Sequence, residues 1–450
     1  MKIVIHRYNS ICEPGYIEAF KALGMEVIED DQEMRDKSIP ADVRIGTIAE
    51  MILTHKPMFV FSINFFPYIS DICERLHVMY VCVSVDCPVA ELLSPAIRNS
   101  VNRVFLFDRR QYLEVADENP GHIYHLPLGV NPLIHAPGAS TTSSSGNARH
   151  TGGTLTAPSD YRYDVSFVGS LYSEKNPYAG IRGKLSSRVQ GMCDGLLAAQ
   201  ELLPGQDLME AVLDVGGAGF ASSDGSGERT SKDPDAAYRL VDELRNELEE
   251  HLPESLKGFE DPVRDIAMFW GINSCLGGEL TVRDRLMLLS SIAESIRDIG
   301  SMHLFTRSDT ALIRQISPHI VCHGGVNTLN EMPSVFATSR ININTTTRSI
   351  RTGLPQRIWD VLGCGGFLLT NAQEEIPEYL ESGRHLDVYE TPTDACEKVR
   401  YYLTHEDERQ QIAANGYAEV MARHTIMDRV TSMISMIMRD IDTRTNGSDI

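Results

Sequence analysis

The stretch "NTTTRSIRTGLPQRIWDVLGCGG", Asn344–Gly366, decides how this sequence is read. It follows a strand-like run, Arg340–Asn344, and a Gly-Leu-Pro step then opens a helix that Gly365-Gly366 ends. A strand therefore hands over to a helix, and three arginines, Arg348, Arg351 and Arg357, gather at the handover in a chain of net charge −21. A helix start offers free N–H groups and the positive end of a dipole, which suits phosphate. Pro355 fits the first helical turn, and Gly353 lets the backbone approach a ligand. The three arginines can grip phosphate oxygens in pairs, with Asn344 at the strand's end beside them. Asp360, one turn beyond Gln356 and Arg357, can accept hydrogen bonds from ribose hydroxyls. Together these residues describe a site for a nucleoside diphosphate. The competing reading pairs the arginines with surface carboxylates and leaves Asp360 solvated; residue chemistry alone leaves the two level.

The whole chain sets bounds on that site. Its 450 residues suffice for two or three domains, and 42% hydrophobic with 23% charged residues is ordinary globular composition. With 41 basic against 62 acidic residues, nonspecific nucleic-acid binding and docking on anionic lipid are disfavoured, since both need a positive surface. The nine cysteines are scattered without a C-x-x-C pair, as expected for buried, reduced thiols. No Cys/His spacing resembles a structural zinc site. Met1–His6 is too short an apolar run for a signal-peptide core, and no 18-residue apolar stretch exists, so a cytoplasmic location is expected.

Short apolar runs alternate with amphipathic ones from the start: Lys2–His6, Glu26–Glu29, Met58–Asn64, Val78–Val85, Arg103–Asp108 and His122–Pro127 read as strands. Such alternation implies a parallel sheet with helices on both faces, a Rossmann-like domain over about 1–135. Residues 136–160 are rich in Ser, Thr and Gly without apolar period, which reads as a flexible linker or insertion. Strands resume at Asp164–Gly169 and again at Met302–Thr306, His319–His323, Arg340–Asn344, Phe367–Thr370 and Leu386–Tyr389. A second domain over about 161–425 follows, with a helical insertion at about 175–300, a surface loop at 224–235 and a closing helix at about 426–441 that can pack back on the first domain. The expected class is α/β, with two facing Rossmann-like doubly wound domains and a ligand cleft between the carboxyl ends of their strands.

From Asn327 to Val430 the chain resembles the C-terminal domain of the spore-maturation CgeB-type glycosyltransferases. The residues that carry the likeness are "EMPSVFATSRININTTTRSIRTGLPQRIWDVLGCGGFLLT", "IPEYLESGRHLDVYETPTDA" and "VRYYLTHEDERQQIAANGYAEVMARHTIMDRV". The first half is similar to the accompanying N-terminal domain in "FSINFFPYISDICERLHVMYVCVSVDCP", "RVFLFDRRQYLE" and "HLPLGVN". The resemblance implies a GT-B fold, a nucleotide-sugar donor on the second domain and a glycosyl acceptor on the first. It places Asp360 where relatives put a ribose-binding glutamate, one methylene longer, and Thr352 where many carry a second acidic residue.

Other candidates sit just past strand ends. Asp86 is the expected general base toward an acceptor hydroxyl, provided burial raises its pKa, and a turn cap otherwise. His6 is the second candidate base, and Arg7, Asn64 and Asp108 are further acceptor-side residues. On the donor side, Gly169 and Arg307 are expected at the pyrophosphate, with "HGGV" (323–326) as a nucleobase loop. Arginine charge in place of a cation implies metal independence, with no metal and no cofactor beyond the donor itself. The expectation is transfer of a sugar from a nucleotide-diphosphate sugar. A nucleotide-sugar epimerase and a non-catalytic nucleotide-sugar-binding protein are the alternatives on the same scaffold.

Overall fold

Two parallel sheets of six strands organise this computed structural model, which describes residues 1–131, 133, 160–203, 208, 234–260 and 263–447. The first contains β1 (Lys2–His6), β2 (Glu26–Asp30), β3 (Phe59–Ile63), β4 (Met79–Val83), β5 (Asn102–Leu106) and β6 (Ile123–His125) in the order β2-β1-β3-β4-β5-β6. The second contains β7 (Tyr163–Val168), β8 (Met302–Phe305), β9 (Val321–His323), β10 (Ser339–Asn344), β11 (Leu368–Asn371) and β12 (Asp387–Tyr389) in the order β12-β11-β10-β7-β8-β9. The α/β class and the two doubly wound sheets expected from the strand pattern are present. Connections leave in opposite directions on either side of β1/β3 and of β7/β10. Such topological switch points open crevices at the carboxyl ends of strands, where ligands bind in folds of this kind.

The interior strands β3 and β5 are buried along their whole length, as parallel strands covered on both faces must be. Ile3, Ile5, Phe59, Phe61 and Phe105 form one core with Phe20 and with Ile426, Val430, Met433 and Ile437. The last four lie on the closing helix, Ile426–Gly447, which thus returns to cover the first sheet. Each fully buried side chain of this size contributes about 1.5–3 kcal/mol. Together they outweigh the ion pair that Asp440 of this helix makes with the buried Arg103. The chain reaches that position through a single backbone seam: the Val130 N–H donates to His424 O at 2.8 Å, and the Ile426 N–H to Val130 O at 2.9 Å.

A second core unites Val168, Phe305, Phe336, Trp359, Leu362 and Leu368 with Phe107, Leu128 and Val130 from the first sheet's side. Met1–Ser170, Leu288–Thr346 and Ile350–Ile450 accordingly form one compact unit. Leu171–Met287 with Thr347–Ser349 form another, a helical body with its own core around Val189, Leu197, Leu248, Ile272 and Leu276. The proposed linker at 136–159 and most of the loop at 224–235 lie outside the described residues; Pro234 and Asp235 open the helix Pro234–Glu249. The nine cysteines are free thiols. No described helix is long and apolar enough to cross a membrane.

Two helical glycines make opposite demands. A Cβ on Gly416, in the helix Glu406–Arg423, would lie 2.1 Å from His385 O, whereas one on Gly46, in the helix Ala41–His55, would meet nothing within 4 Å. Gly416→Ala is expected to cost about 1–3 kcal/mol through overpacking. Gly46→Ala is expected to gain about 0.5–1 kcal/mol from reduced unfolded-chain entropy. Urea denaturation of the two variants, followed by circular dichroism, checks both signs.

Candidate active site

At the second sheet's switch point, Gly169 follows β7 and donates its N–H to Phe305 O at 3.0 Å. Ser170 Oγ and Ser308 Oγ stand 3.1 Å apart across the ends of β7 and β8. Arg307 follows β8 and is exposed; its aliphatic stem lies against Gly325, where a Cβ would come within 2.1 Å of Arg307 Cγ. Among the described residues its guanidinium makes no hydrogen bond or ion pair. Asn344 differs from expectation. Its Nδ2 donates to Thr370 Oγ1 at 2.9 Å and its carbonyl accepts from Tyr389 Oη at 2.9 Å, so it ties β10 to β11 and β12 and does not reach toward a ligand.

The handover after β10 is built differently from the phosphate cradle expected of it. The helix begins at Gln356, with Pro355 just before it. Asp108 Oδ2 accepts the N–H groups of Arg351 (2.8 Å), Thr352 (2.9 Å) and Gly353 (2.9 Å), and Asp108 Oδ1 accepts the Gln111 N–H at 2.9 Å. The loop does cradle an anion, and that anion is a buried carboxylate of the first domain, not an acceptor-side group open to solvent. Gly353 serves the same approach: a Cβ there would meet Phe107 O at 2.8 Å. Arg351 pairs with Glu114. Arg348, in the helical unit, bonds Asp284 Oδ2 through Nε at 2.7 Å. Arg357 lies 5.2 Å over the Phe336 ring and 3.6 Å from Asp360 Oδ2. Asp360 is 2% exposed and accepts from Gln356 Nε2 at 2.9 Å, so it does not present a carboxylate to a ribose. Burial raises its pKa, with Arg357 and Gln356 acting against the rise.

On the first sheet, the residues past β1, β3 and β4 form two groups. His6 is buried, with Nδ1 2.8 Å from Asp30 Oδ2 and Nε2 3.4 Å from Glu33 Oε2. Burial works against its charge, but these carboxylates prevail and raise its pKa. Both ring nitrogens of His6 are turned to carboxylates, which favour its protonated form and leave it poorly placed to act as a base. Arg7 pairs with Glu29 (2.5 Å) and Glu13 (3.3 Å), so it stiffens the β1 turn. Asn64 and Asp86 form the second group: Asn64 Nδ2 donates to Asp86 Oδ2 at 2.7 Å and to Tyr8 Oη at 3.1 Å. Asp86 is exposed, so the burial expected to activate it is absent.

Residues 302–435 match the family described as glycosyl transferase-like. The sequence matches none of the curated proteins. Among solved structures, the chain is similar to the sucrose-phosphate synthase of Thermosynechococcus elongatus at 11% identity and a TM-score of 0.52, over 98% of this chain and 100% of that one. HepE of Anabaena, in complex with UDP-glucose, aligns at 10% identity and a TM-score of 0.48 over 98% and 100%. WaaG, a glycosyltransferase involved in lipopolysaccharide biosynthesis, aligns at 9% identity and a TM-score of 0.47 over 96% and 99%. The fold is GT-B.

Glu375 and His125, at the domain junction, were not anticipated. Glu375 is buried and accepts from Thr352 Oγ1 (2.7 Å) and the Arg109 N–H (2.9 Å), while its Oε2 lies 2.9 Å from His125 Nε2. Thr352 thus reaches a buried acid across the loop. A carboxylate just before Ile376-Pro377 at a helix start is the signal that could have pointed to Glu375. Burial opposes its charge, but the bonds from His125, Thr352 and the Arg109 N–H outweigh burial and lower its pKa. A depressed carboxyl contributes stability above its unfolded value and loses it as pH falls through the folded one. Glu375→Gln is therefore expected to cost about 1.5–3 kcal/mol at pH 7. Denaturation series in buffers from pH 7 downward should show the deficit shrinking below the ordinary value of 4.5.

Proposed function

We propose that this protein is a glycosyltransferase that moves a sugar from a nucleoside-diphosphate sugar to an acceptor hydroxyl. The observation that carries the reading is Arg307, an exposed cation at the carboxyl end of β8. It is unpartnered among the described residues, where Arg348, Arg351 and Arg357 are each engaged. Arg307, the backbone at Gly169 and the start of the helix Gln356–Gly363 would receive the donor diphosphate. Arg357 and Asp360 would support that helix start from beneath. As the acceptor oxygen bonds to the anomeric carbon, the bond to the diphosphate breaks and its electron pair leaves with the diphosphate. Arg307 stabilises the charge that develops there. Asp86, exposed rather than buried, would take the acceptor's proton from the first domain by position alone, with its carboxylate held by Asn64.

A second reading, a nucleotide-sugar-binding protein without turnover, is favoured by Thr352 and by the burial of Asp360, which leave the handover loop without an acid facing outward. A thermal-shift panel of nucleoside diphosphates and their sugars, followed by assay of diphosphate release, separates the two. A ligand at 100 times its Kd raises stability by about 2.7 kcal/mol. Arg307→Ala is expected to weaken diphosphate binding at least tenfold, about 1.4 kcal/mol, with the melting temperature of the free protein unchanged. Wild-type affinity in that variant by calorimetry removes Arg307 from the site.

Metal independence follows from placing the charge role on an arginine. Donor turnover in excess chelator should equal that in magnesium or manganese. Loss on chelation that one metal restores would refute it.

A further inference from the structure

We propose that Asn64 is a positioning residue that holds the Asp86 carboxylate, together with Tyr8, as an acceptor-hydroxyl site at the switch point of the first sheet. This rests on the glycosyltransferase reading given above. Asn64, Asp86 and Tyr8 follow β3, β4 and β1, so they converge from the carboxyl ends of adjacent strands. Asn64 adopts φ 59°, a left-handed conformation that asparagine tolerates better than most side chains. Its backbone is fixed as well. The Asn64 N–H donates to Val83 O at 2.8 Å, and its carbonyl accepts from Ser62 Oγ at 2.7 Å.

The side-chain amide can point only one way. Oδ1 accepts the Val85 N–H at 3.0 Å, with Ser84 Oγ at 3.3 Å, and a backbone N–H cannot be satisfied by an NH2 group. Nδ2 is thereby turned to Asp86 Oδ2 and Tyr8 Oη. Ser84 Oγ also bonds the Asp86 carbonyl at 2.8 Å, which fixes the turn carrying the carboxylate. One oxygen of Asp86 is thus held by a neutral donor. The other, Oδ1, accepts no hydrogen bond among the described residues and sits on an exposed side chain. In the transfer step Asp86 Oδ1 takes the proton of the acceptor hydroxyl while that oxygen bonds to the anomeric carbon and the diphosphate departs. Asn64 touches none of the reacting atoms; it sets where Oδ1 points.

The test uses the full chain with Asn64→Gly and Asn64→Asp. Glycine accepts the left-handed backbone and deletes the amide, so a purely backbone role predicts wild-type behaviour. Aspartate keeps the shape and sets a second carboxylate against Asp86, which makes its proton harder to remove. Diphosphate release is measured against pH with UDP-, GDP-, ADP- and dTDP-glucose, and Asp86 is titrated by carbon NMR on carboxyl-labelled protein, assigned with Asp86→Asn. Expected are a tenfold or greater fall in kcat for Asn64→Gly at unchanged donor KM, and an upward move of both the Asp86 titration and the rate profile for Asn64→Asp. Wild-type kcat in Asn64→Gly, or an unmoved Asp86 titration in Asn64→Asp, overturns the positioning role while turnover by the wild type leaves the glycosyltransferase reading standing. A wild type that neither binds nor turns over any donor removes that reading, and this proposal with it.

Discussion

The carboxylate of Asp108 fixes how the two sheets meet. An ionised side chain withdrawn from water is costly unless its oxygens are filled. Here four backbone N–H groups fill them, one from its own helix start and three from Arg351, Thr352 and Gly353. Charge-assisted bonds of this kind are about twice as strong as neutral ones. They also demand that two backbones come into contact, which the bare Cα of Gly353 permits against Phe107 and Asp108. The remaining ties cluster around this point. Arg351 reaches Glu114, Arg109 reaches Glu378, and Glu375 gathers Thr352, His125 and the Arg109 N–H. The carboxyl ends of β5 and β10 are joined by a polar network with a buried anion at its centre.

That network explains which parts of the sequence were legible. The twelve strands were visible as short runs, most plainly β3 and β5, whose burial on both faces is written in their own residues, and least plainly the edge strands β2 and β9. The closing helix was legible for the same reason: its apolar stripe had to find a surface, and the first sheet supplied it. The handover loop, expected to receive a phosphate, closes on the Asp108 carboxylate. Nothing in residues 344–366 reveals that its anion is Asp108, more than 240 positions earlier. Arg348 and Arg351 follow the competing reading, and their carboxylates, Asp284 and Glu114, are also remote in sequence. Local pattern encodes what a segment can bind; the partner that takes the position is decided by tertiary structure.

Two buried acids near the same loop shift in opposite directions. Glu375 receives three donors and is held in its charged form. Asp360 has one good donor, Gln356, and an arginine 3.6 Å away, and burial prevails, so its proton is held more tightly. Asp360 is the more deeply enclosed of the two and has fewer hydrogen bonds to offset that burial, although both side chains are almost fully covered. A sequence shows two acids; only the burial and the donors around them assign opposite behaviour.

The distribution of charge bears on what the unspent residues can do. A chain of net charge −21 repels a diphosphate as a whole. At physiological ionic strength that repulsion is screened beyond about 8 Å, so the nearest charges decide. Arg348 and Arg351 have carboxylates within bonding distance and offer an incoming anion little net field. Arg307 lies beside Gly325, where the absence of a side chain leaves its stem room to lie flat and its guanidinium exposed. In the proposed reading this cation at the end of β8, unpartnered among the described residues, attracts a diphosphate locally, whatever the sign of the whole molecule. The first sheet presents the complement: at its switch point stands Asp86, an exposed carboxylate steadied by the amide of Asn64. In the proposed transfer from a diphosphate donor to a hydroxyl, Arg307 would bind the anion and Asp86 would accept the proton, and the two stand on separate sheets, so neither group neutralises the other.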